Sequence, residues 1–241
     1  MFQISDNWKT KYSDAHAGVL VMRDVINPSS HEELERRKIA LEQELRVRYS
    51  AQDRAALAQL PVLQAYTAYY RRFKKTYHVQ LQLESIVFKD KSIPSVAALV
   101  EAMFMAEIKN LLLTAGHDLD SLHLPLTLDV SHGAERYTLL RGQEQELKAG
   151  DMFIRDEAGV ISSIVYGPDQ RTAINAQTRN VVFTIYAPPG IGENSVLNHL
   201  HDLKENVLLI APEARVELLQ VFGALKGGAH SAQLDPPPAQ L

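Results

Sequence analysis

The chain has 241 residues, of which 46 % are apolar and 22 % charged, the composition of an ordinary globular protein and too rich in Leu, Val, Ile and Ala for intrinsic disorder. The absence of cysteine excludes disulfide scaffolds, thiolate metal sites, iron–sulfur clusters and cysteine nucleophiles. The net charge of −4 is unevenly spread, since residues 1–78 carry 13 Lys and Arg against 9 Asp and Glu while residues 79–241 carry 12 against 20, so only one basic face suits a polyanion.

In chain order, Gly18 to Met22 reads as a buried strand, and Asn27-Pro28-Ser29-Ser30 supplies turn and N-cap chemistry. A helix follows, with Leu34, Leu41, Leu45 and Tyr49 near helical spacing and Glu32/Arg36, Glu33/Arg37, Glu42/Arg46 and Glu44/Arg48 as i,i+4 pairs on its wet side. Pro61 opens a second helix through Phe73, and Leu81–Lys89 is a short third. Pro94, in a first turn, starts an apolar helix over 95–113 whose Val96, Leu99, Val100, Met103, Phe104, Ile108 and Leu111 form a core stripe. That stretch carries Glu101, Glu107 and Lys109, so it does not read as a membrane span, and the start of the chain has no export signal. The expected location is the cytoplasm.

Beyond it the period changes to two at Leu126, Leu128 and Val130, with further strands expected at 137–140, 152–155 and 160–166. The nearly continuous run Val181 to Tyr186 reads as a central strand buried on both faces, ended by Pro188-Pro189-Gly190. A helix at about 195–209 and a strand at about 215–222 follow. The expected architecture is a single α+β domain over 1–225, with mixed sheets from the second half and first-half helices packed on them. Gly, Gln and Pro-rich residues 226–241 read as a disordered tail.

Three clusters carry chemistry. The run Tyr69-Tyr70-Arg71-Arg72-Phe73-Lys74-Lys75 lies in a stretch without acids from Arg54 to Leu83. Arg71, Arg72, Lys74 and Lys75 can neutralise phosphates while the aromatics stack on bases, or the cations can simply complement a helix C-terminus. The second cluster runs from Asn110 through Thr114 and Gly116 to His117, Asp118 and Asp120. A helix ending at Thr114 with Gly116 as its C-cap projects His117 and Asp118 from a turn, where they orient water or a substrate amine, or satisfy the last carbonyls. On that placement His117→Ala removes activity and spares stability. The third cluster is Ser162, Ser163, Tyr166, Asp169, Arg171 and Thr172, a set of donors for an ester or phosphate that is equally a Gly-Pro-Asp turn. Nothing places His117, Asp118, Asp120 and His123 on one face, so no metal and no cofactor is expected.

Four ordered strings, GVLVMRDV at 18–25, Gln82-Leu83-Glu84-Ser85, LLLTAGHDLDSL at 111–122 and DQRTAINAQTRNVVF at 169–183, give the chain its family likeness. From about Gly18 to Phe222 it resembles free-standing relatives of the editing region of the phenylalanyl-tRNA synthetase beta subunit, formed there by the third and fourth B modules. The resemblance implies a three-layer fold, a pocket at a sheet–helix junction, and hydrolysis in trans of the ester in mischarged aminoacyl-tRNA. For such a hydrolysis the residues themselves offer His117 and Asp118 as the catalytic pair that orients water or the amino group, although the resemblance sets His117 on an aromatic position of the family. They offer Asn110 and Thr114 as supporting donors, Ser163, Arg171 and Thr172 near the terminal ribose or oxyanion, and Gly116, Ser162, Tyr166, Asp169 and Thr184 around the substrate. The partners implied are the aminoacylated end of tRNA, held by the basic run, and an aminoacyl-tRNA synthetase. The alternative is a non-catalytic protein that binds a tRNA end or an amino acid. An ungapped match to the synthetase run Gln-Pro-Met-His-Ala-Phe-Asp puts Ala115 where the His stands, and puts Thr184 where the synthetase has the Glu that reads the tyrosine hydroxyl.

Overall fold

The computed structural model describes residues 1–223; the tail expected at 226–241 lies outside the described residues. A four-stranded antiparallel sheet holds β2 (His16–Arg23), β3 (Thr114–Asp118), β10 (Asn180–Ala187) and β11 (Arg215–Gly223) in the order β11-β2-β10-β3. As the unbroken apolar run implied, β10 is central: it pairs on both edges, and Val181, Val182, Phe183 and Ile185 are buried. Each such side chain contributes about 1.5–3 kcal/mol relative to exposure.

A second, mixed sheet has the order β1-β4-β7-β8-β9, built from β1 (Phe2–Ile4), β4 (Leu126–Val130), β7 (Met152–Asp156), β8 (Gly159–Ser163) and β9 (Gly167–Pro168). Only the β1–β4 pair is parallel. The first half of the chain thus supplies β1 to the five-stranded sheet and β2 and β3 to the four-stranded one, and β5 (Arg136–Thr138) and β6 (Glu144–Glu146) form a separate hairpin.

The helices are α1 (Asp6–Lys11), α2 (Glu32–Arg48), α3 (Arg54–Leu57), α4 (Pro61–Arg71), α5 (His78–Lys89), α6 (Ala98–Asn110) and α7 (Glu193–Ile210). None of the described helices is long and apolar enough to cross a membrane. The α7 helix packs on β2 and β11, and α6 packs on α7 and β3. Gly18 on β2 allows the first of these approaches, because a Cβ there would stand 2.8 Å from Val196 Cγ1 of α7.

The α4 helix joins the two sheets through hydroxyls. Tyr66 donates to the Tyr186 carbonyl of β10, Tyr69 donates to Asp151 Oδ1 at 2.8 Å, and Tyr70 donates to the Ile164 carbonyl. This corrects one expectation: Tyr69, Tyr70 and Phe73, read as a surface for bases, are buried core residues. Their cationic neighbours are left at the surface because the apolar stripe of α4 turns inward.

The apolar helix is shorter than its pattern at both ends, and for tertiary reasons. Its start shifts from 95 to Ala98 because the Val96 N–H bonds Glu101 Oε1, the Leu99 N–H bonds Asn27 Oδ1 and the Ala98 N–H bonds the Pro28 carbonyl. At the other end Leu111 is left-handed, with φ 59°, and the Leu111 carbonyl accepts from Tyr77 at 3.0 Å. Gly116 therefore caps no helix. The segment Thr114–Asp118 is strand β3, paired with β10, so His117 and Asp118 do not project from a turn.

Candidate functional site

A cavity of about 260 Å³ opens where β3, α6 and the β8–β9 turn meet. Val100, Met103, Phe104, Leu113, Leu140 and Ile174 make its walls apolar, and Glu107, His78, Thr114, Ser163 and Tyr186 supply its polar groups. Gly116 lines it too; a Cβ there would stand 2.8 Å from Ile174 Cδ1 and 3.0 Å from Phe183 Cε1, so the strand can sit this close only without a side chain.

Of the residues singled out from sequence, Thr114, Gly116 and Ser163 come together in this cavity. The Thr114 hydroxyl lies 2.7 Å from His199 Nε2 and 3.3 Å from the Leu112 carbonyl oxygen. Ser163 Oγ accepts the Tyr166 N–H at 3.0 Å. Ser162 is buried behind it, with its Oγ 2.6 Å from the Tyr186 hydroxyl. Tyr166 carries the Lys75 ammonium 5.7 Å from its ring centre, which brings the basic run to the turn bordering the cavity.

The other predicted residues are engaged elsewhere. His117, fully buried, is not among the cavity-lining residues. Its Nδ1 lies 2.7 Å from Thr172 Oγ1, and the Thr172 hydroxyl donates to Asp169 Oδ1, so Nδ1 carries the proton and Nε2 is left buried without a partner. Burial, with the Arg171 guanidinium as a smaller cause, pushes its pKa down to about 3. Asp118 accepts from Thr178 Oγ1 at 2.7 Å, from Asn175 Nδ2 at 3.2 Å and from the Asp120 N–H at 3.0 Å. Arg171 forks onto Asp156, with both contacts at 2.9 Å, and Asn110 ties α6 to Asp202 of α7 at 2.9 Å. Thr184 is buried with its hydroxyl unpartnered and sits directly across from Ala115 in the β10–β3 register. Among the described residues, no group of three or more His, Asp and Glu is arranged to hold a metal.

The sequence does not single out Glu107 or Tyr186 for the site, and it offers His199 only as a metal candidate set aside because His201, two residues on, points elsewhere. Glu107 reads there only as a charge that breaks a membrane span, although an acid four residues after Met103 of the apolar stripe falls on the same helical face. It is buried, its Oε2 accepts the Thr114 N–H at 2.9 Å, and burial raises its pKa to about 8. His199 is equally buried and is pushed down to about 4.

These shifts set the pH dependence of stability. His117 and His199 titrate near 3 and 4 when folded and near 6.5 when unfolded, so the unfolded chain binds the extra protons and stability falls as pH drops below about 6.5. Glu107 and Asp151, raised by burial to about 8 and about 7, act in the opposite sense, holding protons in the folded state and losing stability as pH rises through those values. The two pairs offset each other between about pH 4.5 and 6.5. A plateau of thermal midpoint there, declining on both sides, is expected in a buffer series; a midpoint climbing steadily from pH 5 to 9 would contradict this protonation scheme.

Comparison with known proteins agrees with this architecture. The family model for the B3/4 domain matches residues 63–209, more than half of the chain. A crystal structure of an N-terminal fragment of the phenylalanyl-tRNA synthetase beta subunit from Pyrococcus horikoshii superposes with a TM-score of 0.50 at 9 % identity, over 91 % of this chain and 51 % of that one. The phenylalanine–tRNA ligase beta subunit of Mycoplasma pneumoniae is 30 % identical over 69 residues, covering 29 % of this chain and 9 % of that protein. Regulatory protein CAT8 of Saccharomyces cerevisiae is 27 % identical over 152 residues, 62 % of this chain and 10 % of that one. The chain thus aligns with about a tenth of each curated relative and about half of the solved fragment. The fold is the one those strings implied, and the chain belongs to the B3/4 domain family.

Proposed function

We propose that the protein is a trans-acting aminoacyl-tRNA deacylase, a cytoplasmic editing enzyme that hydrolyses the ester of mischarged tRNA, free or handed over by a synthetase. The observation that carries this is the apolar cavity of about 260 Å³ bordered by a cationic helix end, a place for an aminoacyl group beside a place for phosphates. The likeness to synthetase beta subunits supports the same reading.

An aminoacyl ester is already activated, so the protein has only to hold it, admit one water and stabilise the oxyanion. The hydroxyl of Ser163 is the donor for that task, while the Thr114 hydroxyl, tied to the Leu112 carbonyl and His199, fixes the cavity wall, and Gly116 lets Ile174 and Phe183 close on β3. His117 and Asp118 act one layer back, fixing β3 through Thr172, Asn175 and Thr178. That neither of them lines the cavity favours a second reading, a non-catalytic binder of aminoacyl ends.

A panel of labelled aminoacyl-tRNAs, cognate and mischarged, separates the two. Faster ester loss for a subset of them establishes the deacylase, and retention on a filter with the ester intact establishes the binder. Because Thr184 offers no carboxylate for a phenol, tyrosyl and phenylalanyl esters are expected to be cleaved within about a hundredfold of each other, the reach of an added hydroxyl in an apolar pocket. A tyrosine preference of about a thousandfold would require another group to read that hydroxyl.

A further inference from the structure

The cavity is lined by one acid, Glu107, which the oxyanion donor Ser163 and the wall residues Thr114 and Gly116 leave without a task. Glu107 Oε2 is occupied by the Thr114 N–H, while Oε1 lies 3.9 Å from His78 Nε2, beyond hydrogen-bond reach. Neither Lys nor Arg occurs among the residues lining the cavity. A carboxylate without a counter-charge in an apolar recess is costly, and burial accordingly raises its pKa to about 8.

We propose that Glu107 is the anchor for a ligand's primary ammonium group, so that the cavity takes an apolar amino acid unit by its α-amine, with the carboxyl carbon in ester or amide form. The inference rests on the aminoacyl reading of the cavity and deepens it. A compact ammonium suits one available carboxylate oxygen, whereas a guanidinium needs two acceptors side by side and a divalent cation needs several oxygens. The apolar walls, from Val100 and Met103 to Ile174, accept the side chain. The absence of any lining Lys or Arg decides the state of the carboxyl: a free amino acid would bring an unpaired carboxylate beside Glu107, while an ester or amide brings none.

The test uses the full chain and three probes at pH 7: phenylalaninamide, N-acetylphenylalaninamide and free phenylalanine. Binding is read by calorimetry and by the amide resonance of Thr114, whose N–H bonds Glu107. Phenylalaninamide is expected to bind, with acetylation and the free carboxylate each weakening it by about tenfold or more. Glu107→Gln keeps an acceptor for the Thr114 N–H and is expected to weaken phenylalaninamide by about tenfold or more without changing the acetylated probe. Equal binding of the amine and its acetylated form by the unmodified protein, or no binding of any probe, overturns the proposal without reference to a variant's folding. Amine-dependent binding with no ester loss from any tRNA would leave this anchor standing and remove the deacylase reading. Equal cleavage of N-acetylated and unmodified aminoacyl-tRNA would do the reverse.

Discussion

Replacing His117 by Ala is expected to lower the unfolding free energy by about 3 kcal/mol, because it removes a fully buried ring, leaves a void and deprives Thr172 Oγ1 of its donor. For a domain of this size that corresponds to a fall in thermal midpoint of about 6–12 °C. The relay from His117 through Thr172 to Asp169 pins β3 to the loop before β10, and the unpartnered Nε2 faces buried protein. Deacylation per folded molecule should therefore survive at a temperature where the variant is native. The outcome that defeats this assignment is an unchanged midpoint with lost activity, which would place His117 in contact with the ester after all. The turn placement expected from sequence led to the opposite forecast, and β3 is the reason for the reversal.

Reversing two charges, Lys74→Glu with Lys75→Glu, is expected to weaken binding of every tRNA by about 10- to 100-fold at moderate salt and to flatten the salt dependence by about two phosphate contacts. Both residues are exposed just beyond α4, where Lys74 takes a left-handed conformation with φ 57° and turns the chain. Arg72 is a poor choice for this test. Its guanidinium lies within 5.5 Å of the ring centres of Tyr12, Tyr69 and Phe73 and donates to the Tyr12 hydroxyl at 2.9 Å, so changing it would disturb packing as well as charge. Discrimination among amino acids should not alter, since phosphate contacts position the substrate without reading it. If affinity and salt slope both stay put, the run is a solvated helix end.

What the sequence determined by itself was the set of elements governed by local period. The apolar run of β10, the alternation in β4, the exposed i,i+4 pairs Glu32/Arg36 and Glu44/Arg48 of α2 and the Pro61 start of α4 were legible because each depends on residues a few places apart. By contrast, Glu33 pairs with Arg36 in place of Arg37, and Glu42 leaves the wet side, buried where it accepts the Ile93 N–H. The tertiary structure decided where those elements stop and which side chains meet. The limits of α6 depend on Asn27, Pro28 and Tyr77, residues far away in sequence, and the pairing of Thr114–Asp118 with β10 converted an expected turn into a strand. The site divides along the same line. Thr114, Gly116 and Ser163 could be named from their motifs, but Glu107 became a candidate only when α6 brought it against β3 beneath an apolar cavity, because a carboxyl's ionisation is set by its distance from water and counter-charges, which no local pattern encodes.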